Sequence, residues 1–106
     1  MTAAALSPAF TALADPTRQR IVEMLATGPL AAGEIAGRFR LSAPAISQHL
    51  KTLKDARLVR VTPVAQKRIY QLNPEGVDEV AQWAARIRAF WNPKLDALEA
   101  ALKETP

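Results

Sequence analysis

Hydrophobic positions follow two different periods along the chain, and the changes between them divide it into elements. Up to residue 55 apolar residues recur every three or four positions, which is typical of helices with one buried face. The segments LVRVTP and KRIYQL, separated by VAQ, roughly alternate and are rich in β-branched and aromatic residues, a pattern that predicts a hairpin. The helical period returns at Pro74. The sequence therefore predicts four helices, a hairpin and a long terminal helical region.

Four dipeptides that end in proline divide the helical parts further. Each places a side-chain oxygen that can cap a helix before a proline suited to the first turn, so each is interpreted as a helix start. At the last of them the apolar stripe continues in phase, so the terminal helix is either kinked there or ends and restarts. The four pairs are Ser7-Pro8, Asp15-Pro16, Asn73-Pro74 and Asn92-Pro93.

The third and fourth predicted helices form a helix-turn-helix. AAGEIAGRF makes a short helix, and RLS is a tight connection into a helix that Ser42 caps. Ile46, Leu50 and Leu53 mark the buried stripe of this fourth helix. At about 100° per residue, the opposite face holds short polar and charged residues that do not build a core. These residues are Pro44, Ser47, Gln48, Lys51 and Asp55.

The apolar stripe of the terminal region is too long for the chain to cover alone. It runs from Val77 to Leu102, about 26 residues, and exceeds what a core of about 70 residues can bury. The pattern predicts that part of it packs against a second chain, with the first helix as its neighbour. The alternative is that the whole stripe packs within the chain. The predicted dimer interface comprises Leu6, just ahead of the first helix, Phe10, Leu13, Ile87, Trp91, Leu95 and Leu98.

Composition narrows the possible chemistry. The 106 residues fit one domain, 1–106, with dimerisation helices at about 74–104. The chain has no cysteine, and its one histidine, His49, lies near the edge of the buried stripe, where packing is the favoured interpretation over ligation. We expect no metal site and no cofactor. Short apolar stretches and the absence of a basic leader predict a soluble cytoplasmic protein without a membrane partner.

Positive charge is concentrated in one part of the sequence. Residues 38–68 hold eight cations and the single anion Asp55, a net charge of +7, whereas the other residues together carry −3. This asymmetry favours a surface that faces a polyanion, the alternative being a basic solvated surface.

Several separated segments resemble the ArsR/SmtB-type winged-helix repressors. They are ALADPTRQRIVEMLATGPLAAGEIAGRF, LSAPAISQHLKTLKDARLV, the basic hairpin and YQLNPEGV, and FW followed by LDALEAALKE is similar to the cysteine-free branch. The resemblance covers about residues 9–80. It implies a mainly α fold with a small β-hairpin wing, a fourth helix in the DNA major groove, and a dimer through the first and terminal helices.

The resemblance also implies a set of DNA-binding residues. It places four residues of the fourth helix at base-reading positions, three of which the helical wheel independently turns outward. Gln48 can pair with an adenine edge, whereas Lys51, Lys67 and Arg68 suit phosphates. The predicted DNA-binding set is Ser42, Ala43, Pro44, Ser47, Gln48, Lys51, Lys67 and Arg68.

The chain departs from the family pattern in two ways. Ala31 and Gly33 stand at the thiol positions of metal-sensing relatives, and residues 74–104 contain no histidine, so both family metal sites are missing. Arg40, Arg57 and Ala65 stand where the family often has glycine, and the two arginines add positive charge near the presumed DNA face.

These observations predict a sequence-specific transcriptional regulator. We expect a homodimeric repressor of its own or a neighbouring operon, bound to double-stranded DNA at an inverted-repeat operator. The alternative is a winged-helix protein-interaction module, against which Ser, Gln and Pro on the outward face argue, because they are poor interface anchors. No pattern supports an enzyme. For Trp83 and Trp91 the alternatives are a site for an apolar small-molecule inducer and a core or interface role, which is the commoner one for such tryptophans.

Overall fold

The computed structural model describes residues 3 to 104 and confirms the predicted winged helix-turn-helix. Its helices are α1 (Ala3–Leu13), α2 (Pro16–Ala26), α3 (Ala32–Ala36), α4 (Ala43–Asp55) and α5 (Pro74–Glu104). Its strands are β1 (Leu30–Ala31), β2 (Val59–Val64) and β3 (Lys67–Leu72), which form an antiparallel sheet in the order β1-β3-β2. The fold is mainly α, with β2 and β3 as the wing.

Three of the predicted helix starts are confirmed, two of them by capping contacts. The Asp15 side chain accepts a hydrogen bond from the Arg18 backbone N–H at 3.0 Å, and Pro16 begins α2. The Ser42 hydroxyl accepts from the Ala45 N–H at 3.2 Å, which caps α4. In both cases the side-chain oxygen satisfies an N–H that has no partner within the helix. Helix α5 begins at Pro74, but the Asn73 side-chain amide ahead of it donates to the Arg57 carbonyl oxygen at 3.0 Å.

The other two proline pairs are not helix starts, so the interpretation of Ser7-Pro8 was wrong, and at Asn92-Pro93 the helix does not end and restart. Pro8 lies inside α1, which already includes Ala3, and Pro93 lies inside the single helix α5. Leu6 is consequently a residue of α1 and does not precede it. A proline removes one hydrogen bond, and the apolar stripe continues in phase on both sides of it, so the helix continues.

The sheet contains one strand that the sequence did not predict. Strand β1 has two residues, too few to show a period, and it exists through its pairing of Leu30 with Tyr70 of β3. The hairpin turn is shorter than predicted, because Val64 already pairs with Lys67. Ala65 in this turn has a φ of 56°, in the left-handed region that favours glycine, so the backbone keeps that conformation at some cost.

The core lies where α1 to α4 meet the sheet. Ile21, Ile35, Leu53 and Leu58 are among its fully buried side chains, and the first turns of α5 pack against it. Gly76 in α5 is buried against the carbonyl oxygen of Arg57, so closely that a Cβ would overlap that oxygen. The start of α5 is therefore fixed against the end of α4.

The distal half of α5, residues 87–104, lies outside this core. Its large apolar side chains are exposed, although their spacing of three or four positions is the same as that of buried helices. Closer to the core, Trp83 packs edge to face on Phe10 of α1, with ring centroids 4.9 Å apart. The exposed side chains are Ile87, Phe90, Trp91, Leu95, Leu98 and Leu102. Within residues 3 to 104, no helix combines the length and the hydropathy that crossing a membrane requires.

Candidate nucleic-acid interface

Helix α4 has one buried apolar face and one exposed face of mainly short side chains. Ile46, Leu50 and Leu53 are at most 2% exposed and hold the helix against the core. The predicted base-reading residues Ala43, Pro44, Ser47 and Gln48 are all exposed, as is Ser42, whose hydroxyl is engaged in the cap. The helix therefore presents short polar groups on a rigid support, the arrangement that reading base edges requires.

Helix α4 and the wing enclose a shared depression of about 490 Å³. Strand β3 turns Arg68 and Tyr70 toward α4, because residues two apart share a face of the sheet. Lys67 lies on the other face of β3 and lines a neighbouring depression of about 480 Å³ with residues 31–34, and Arg68 borders both depressions. The first depression, which we call the helix–wing cleft, is lined by Ala32, Pro44, Ser47, Gln48, Leu50, Lys51, Lys54, Arg68 and Tyr70.

The structure thus brings together Pro44, Ser47, Gln48, Lys51 and Arg68 of the predicted set, and leaves Lys67 outside the cleft. It adds Lys54 and Tyr70, which the sequence analysis did not select. Lys54 follows Lys51 by three positions, a helical spacing that a stricter use of the same wheel would have found. Tyr70 had no such signal, since its place depends on how β3 pairs and packs.

The cations of the cleft differ in how they are compensated. The Lys51 ammonium lies 2.7 Å from an Asp55 carboxylate oxygen, and this hydrogen bond holds the pKa of Asp55 below its ordinary value. No carboxylate among residues 3 to 104 forms an ion pair with Lys54 or Arg68. These two side chains carry positive charge that an external anion can neutralise.

Two other cations of the basic segment are already engaged within the chain. The Arg57 guanidinium lies 3.7 Å from a Glu75 carboxylate oxygen and 3.5 Å from one of Glu79. The positive charge that Arg57 adds is therefore compensated within the chain, because α5 supplies its counterions. Arg60 lies with its Nε 2.7 Å from the Gln71 side-chain oxygen when that amide is oriented to accept.

A polar contact network fixes the inner edge of α4. The Arg18 guanidinium donates to His49 Nδ1 at 3.2 Å and to the Ala12 carbonyl oxygen at 2.7 Å. Asp15 lies 3.9 Å from His49, and the N–H of Arg18 that it accepts lowers its pKa. Arg18 therefore joins α1, α2 and α4, and His49 sits at the boundary of the core as predicted.

The residues predicted for a dimer interface lie in two different settings. Leu6 is 1% exposed in the single chain, so in this conformation it offers no surface to a second chain. Phe10 and Leu13 are half-buried, Phe10 against Trp83 and Leu13 against the core. Ile87, Trp91, Leu95 and Leu98 are exposed on the distal half of α5. No group of three or more potential metal ligands comes together in the described part of the chain.

Comparison with known proteins places this surface in a family context. The sequence pattern of "Bacterial regulatory protein, arsR family" matches residues 15–61. The chain is similar to the HTH-type transcriptional regulator Rv2034 of Mycobacterium tuberculosis, with 51% identity over 82% of this chain and 78% of the relative.

Two more distant matches are also named as transcriptional regulators. The transcriptional repressor SdpR of Bacillus subtilis is 38% identical over 70% of this chain and 82% of that protein. The solved structure of an ArsR-like transcriptional regulator from Rhodococcus sp. RHA1 superposes with a TM-score of 0.75 and 29% identity, covering 96% of both chains.

Proposed function

The chain belongs to the arsR family of bacterial regulatory proteins, and we propose from that premise that it is a homodimeric repressor of its own or a neighbouring operon. Like the other members of this family, the chain is a DNA-binding transcriptional regulator and not an enzyme. The dimer, the inverted-repeat operator and the cytoplasmic location belong to the proposal.

The outward face of α4 carries the proposal for DNA. Gln48 and Ser47 present hydrogen-bonding groups, and Ala43 and Pro44 present small apolar surface that fits a thymine methyl group. Lys51, Lys54 and Arg68 flank them with charge suited to phosphates. A protein-interaction module is less well supported, because this face has no exposed aromatic anchor of the kind that dominates protein interfaces.

The distal half of α5 carries the proposal for a homodimer. Its exposed apolar stripe extends the half-buried contact between Phe10 and Trp83, so a second copy can cover both surfaces at once. A two-fold dimer presents two copies of α4 about 34 Å apart, one turn of the DNA helix, which predicts an inverted repeat.

Regulation without a metal is also part of the proposal. Ala31 and Gly33 cannot supply thiolates, and the chain contains no cysteine elsewhere. A switch by transition metals needs several ligands that converge on one ion. We expect zinc or nickel to leave DNA affinity unchanged, which an anisotropy titration of the protein–DNA complex would measure.

Salt-dependent binding to DNA upstream of its own gene tests the proposed function. Affinity should fall by orders of magnitude between about 50 and 200 mM salt, because several phosphates are neutralised per dimer. Fluorescence anisotropy on this DNA and on a scrambled duplex of equal length measures both affinity and preference. Equal affinity for the two duplexes, or an affinity independent of salt, would contradict the proposal.

A further inference from the structure

We propose that Tyr70, Lys54 and Arg68 together bind one phosphate of the DNA backbone in the helix–wing cleft. This inference rests on the proposed function and assigns a specific ligand group to one part of that surface. Tyr70 has the central role, because the fold uses its ring for packing but gives its hydroxyl no hydrogen-bond partner among the described residues.

Tyr70 is held by the middle strand of the sheet. It pairs with Leu30 on one side and with Val61 on the other, and it belongs to the hydrophobic core. The residue is 7% exposed, so its ring is packed and its position is fixed. A phenylalanine would provide the same packing, and the hydroxyl therefore calls for a separate explanation.

The hydroxyl of Tyr70 has no hydrogen-bond partner among the residues that the structure describes. Buried tyrosines usually find a partner for this group. No side-chain nitrogen or oxygen within residues 3 to 104 is both fully buried and unpartnered, so the hydroxyl keeps contact with solvent. Tyr70 lines the helix–wing cleft. The inference places its solvent-contacting hydroxyl there, where the O–H can donate to a ligand.

The charge of the cleft indicates what that ligand is. Lys51, Lys54 and Arg68 line the cleft, and none of its lining residues is acidic. Lys54 and Arg68 have no ion-pair partner in the described chain, whereas Lys51 is engaged with Asp55. Lys54 also interacts electrostatically with Asp55, but at a distance longer than an ion pair. Two cations without a direct ion pair, beside a hydroxyl donor, favour an oxyanion, since charge-assisted hydrogen bonds to its oxygens are strong.

The position of the cleft favours a backbone phosphate over a base. The cleft lies between Ser47 and Gln48 on α4 and Arg68 on the wing, at the side of the predicted base-reading face. When a helix enters the major groove, the sugar–phosphate strands pass along its flanks. The strand beside the wing then runs past Tyr70. Phosphate contacts of this kind fix register and carry no base information.

Tyr70→Phe tests the inference, because it removes the hydroxyl and keeps the ring. We expect affinity to fall about tenfold per monomer, equally for operator and scrambled DNA, since a hydrogen bond to a charged group is lost. The salt slope should stay unchanged because no charge is removed. Lys54→Gln and Arg68→Gln should instead each reduce that slope by about one unit per monomer. Thermal melting of each variant measures whether the fold is intact.

Replacing single DNA phosphates by uncharged methylphosphonates locates the contact. At one phosphate of each half-site, the replacement should lower the DNA affinity of the wild type but cause no further loss of affinity in Tyr70→Phe. Independent, additive losses at every phosphate would overturn the inference. If Tyr70→Phe does not fold, the same cycle with Lys54→Gln, whose side chain is exposed, decides the question.

Two further outcomes separate this inference from others. Wild-type binding that depends on salt, with Tyr70→Phe binding equally well, would overturn the inference alone. Failure of the wild type to bind any DNA would overturn the proposed function as well.

Discussion

Helix α4 and the distal half of α5 are both amphipathic, but the chain covers the apolar face of only one of them. Leu50 and Leu53 of α4 are 2% and 0% exposed, whereas Leu95 and Leu98 of α5 are 54% and 56% exposed. Apolar residues recur every three or four positions in both helices, but only α4 has other elements of the chain packed against them. The exposed face of α4 is therefore its polar side, proposed to contact DNA, whereas distal α5 exposes its apolar side, proposed to pair two copies.

This difference has a physical origin in how much of each helix the other elements reach. Helix α4 lies among α1, α2, α3 and the sheet, which supply apolar neighbours along its whole length. Helix α5 contributes Val77 and Val80 to the same core and then extends past it. Contiguous exposed apolar surface of this kind marks an interaction site in proteins, and the proposed homodimer would cover it with the same face of a second copy.

Charging the apolar face of α5 should have the largest effect. Leu98→Asp places a carboxylate where the proposed dimer is apolar, and the cost of burying it should weaken dimerisation by about a hundredfold or more. Affinity for an inverted repeat should fall by a similar factor, since two linked recognition helices bind with avidity. Sedimentation equilibrium and fluorescence anisotropy measure the two quantities.

Ala89→Asp is the matched control for that variant. Residue 89 lies nine positions from Leu98, which places it on the opposite side of α5, and Ala89 is also exposed. The same new charge there should leave dimerisation unchanged. Equal effects of the two substitutions, or a dimer that tolerates Leu98→Asp, would contradict the assignment of the apolar face.

Changing the polar face of α4 should alter DNA binding and leave the dimer intact. Gln48→Ala should cost about 1–3 kcal/mol on the operator and relax preference at one base pair, if Gln48 reads a base edge. Lys51→Ala should weaken operator and random DNA alike and reduce the salt slope by about one unit per monomer. Selection of DNA by each variant distinguishes a loss of base preference from a uniform loss of affinity. Indistinguishable behaviour of the two variants would refute these separate roles.

The smallest effect should come from releasing Lys51 from its carboxylate. Asp55→Asn removes the partner that lies 2.7 Å from the Lys51 ammonium in the free protein. Because exposed ion pairs are weak and screened, we expect a gain in DNA affinity of only about two- to fivefold. The gain should disappear in the Lys51→Ala background. A gain that persists there would mean that Asp55 acts by general repulsion of DNA.

The comparison also shows which features the sequence could predict. Helix α4, its Ser42 cap and the outward position of Gln48 follow from local chemistry and a single period, and the structure confirms them. Strand β1 and the place of Tyr70 in the helix–wing cleft depend on pairing between distant segments. No local pattern records such pairing, which is why both were missed.

Proline pairs show the limit of a local rule. The same dipeptide rule succeeded at Asp15-Pro16, where a loop precedes the helix, and failed at Ser7-Pro8, which lies inside α1. At Asn92-Pro93 the rule left a kink or a restart open, and the structure has one helix that continues through the proline. An apolar stripe that continues in phase through the proline was the deciding signal. Likewise, Arg57 has charge that is compensated by Glu75 and Glu79, and only the packing of α5 against the end of α4 reveals that.

Selection of DNA from a random pool by the full-length wild-type protein tests the central claim most directly. The claim is that α4 reads DNA while distal α5 pairs two copies, so that one dimer reads two half-sites. We predict enrichment of an inverted repeat whose half-site centres lie about 10 base pairs apart. Enrichment of single half-sites, or of no sequence at all, would contradict the account.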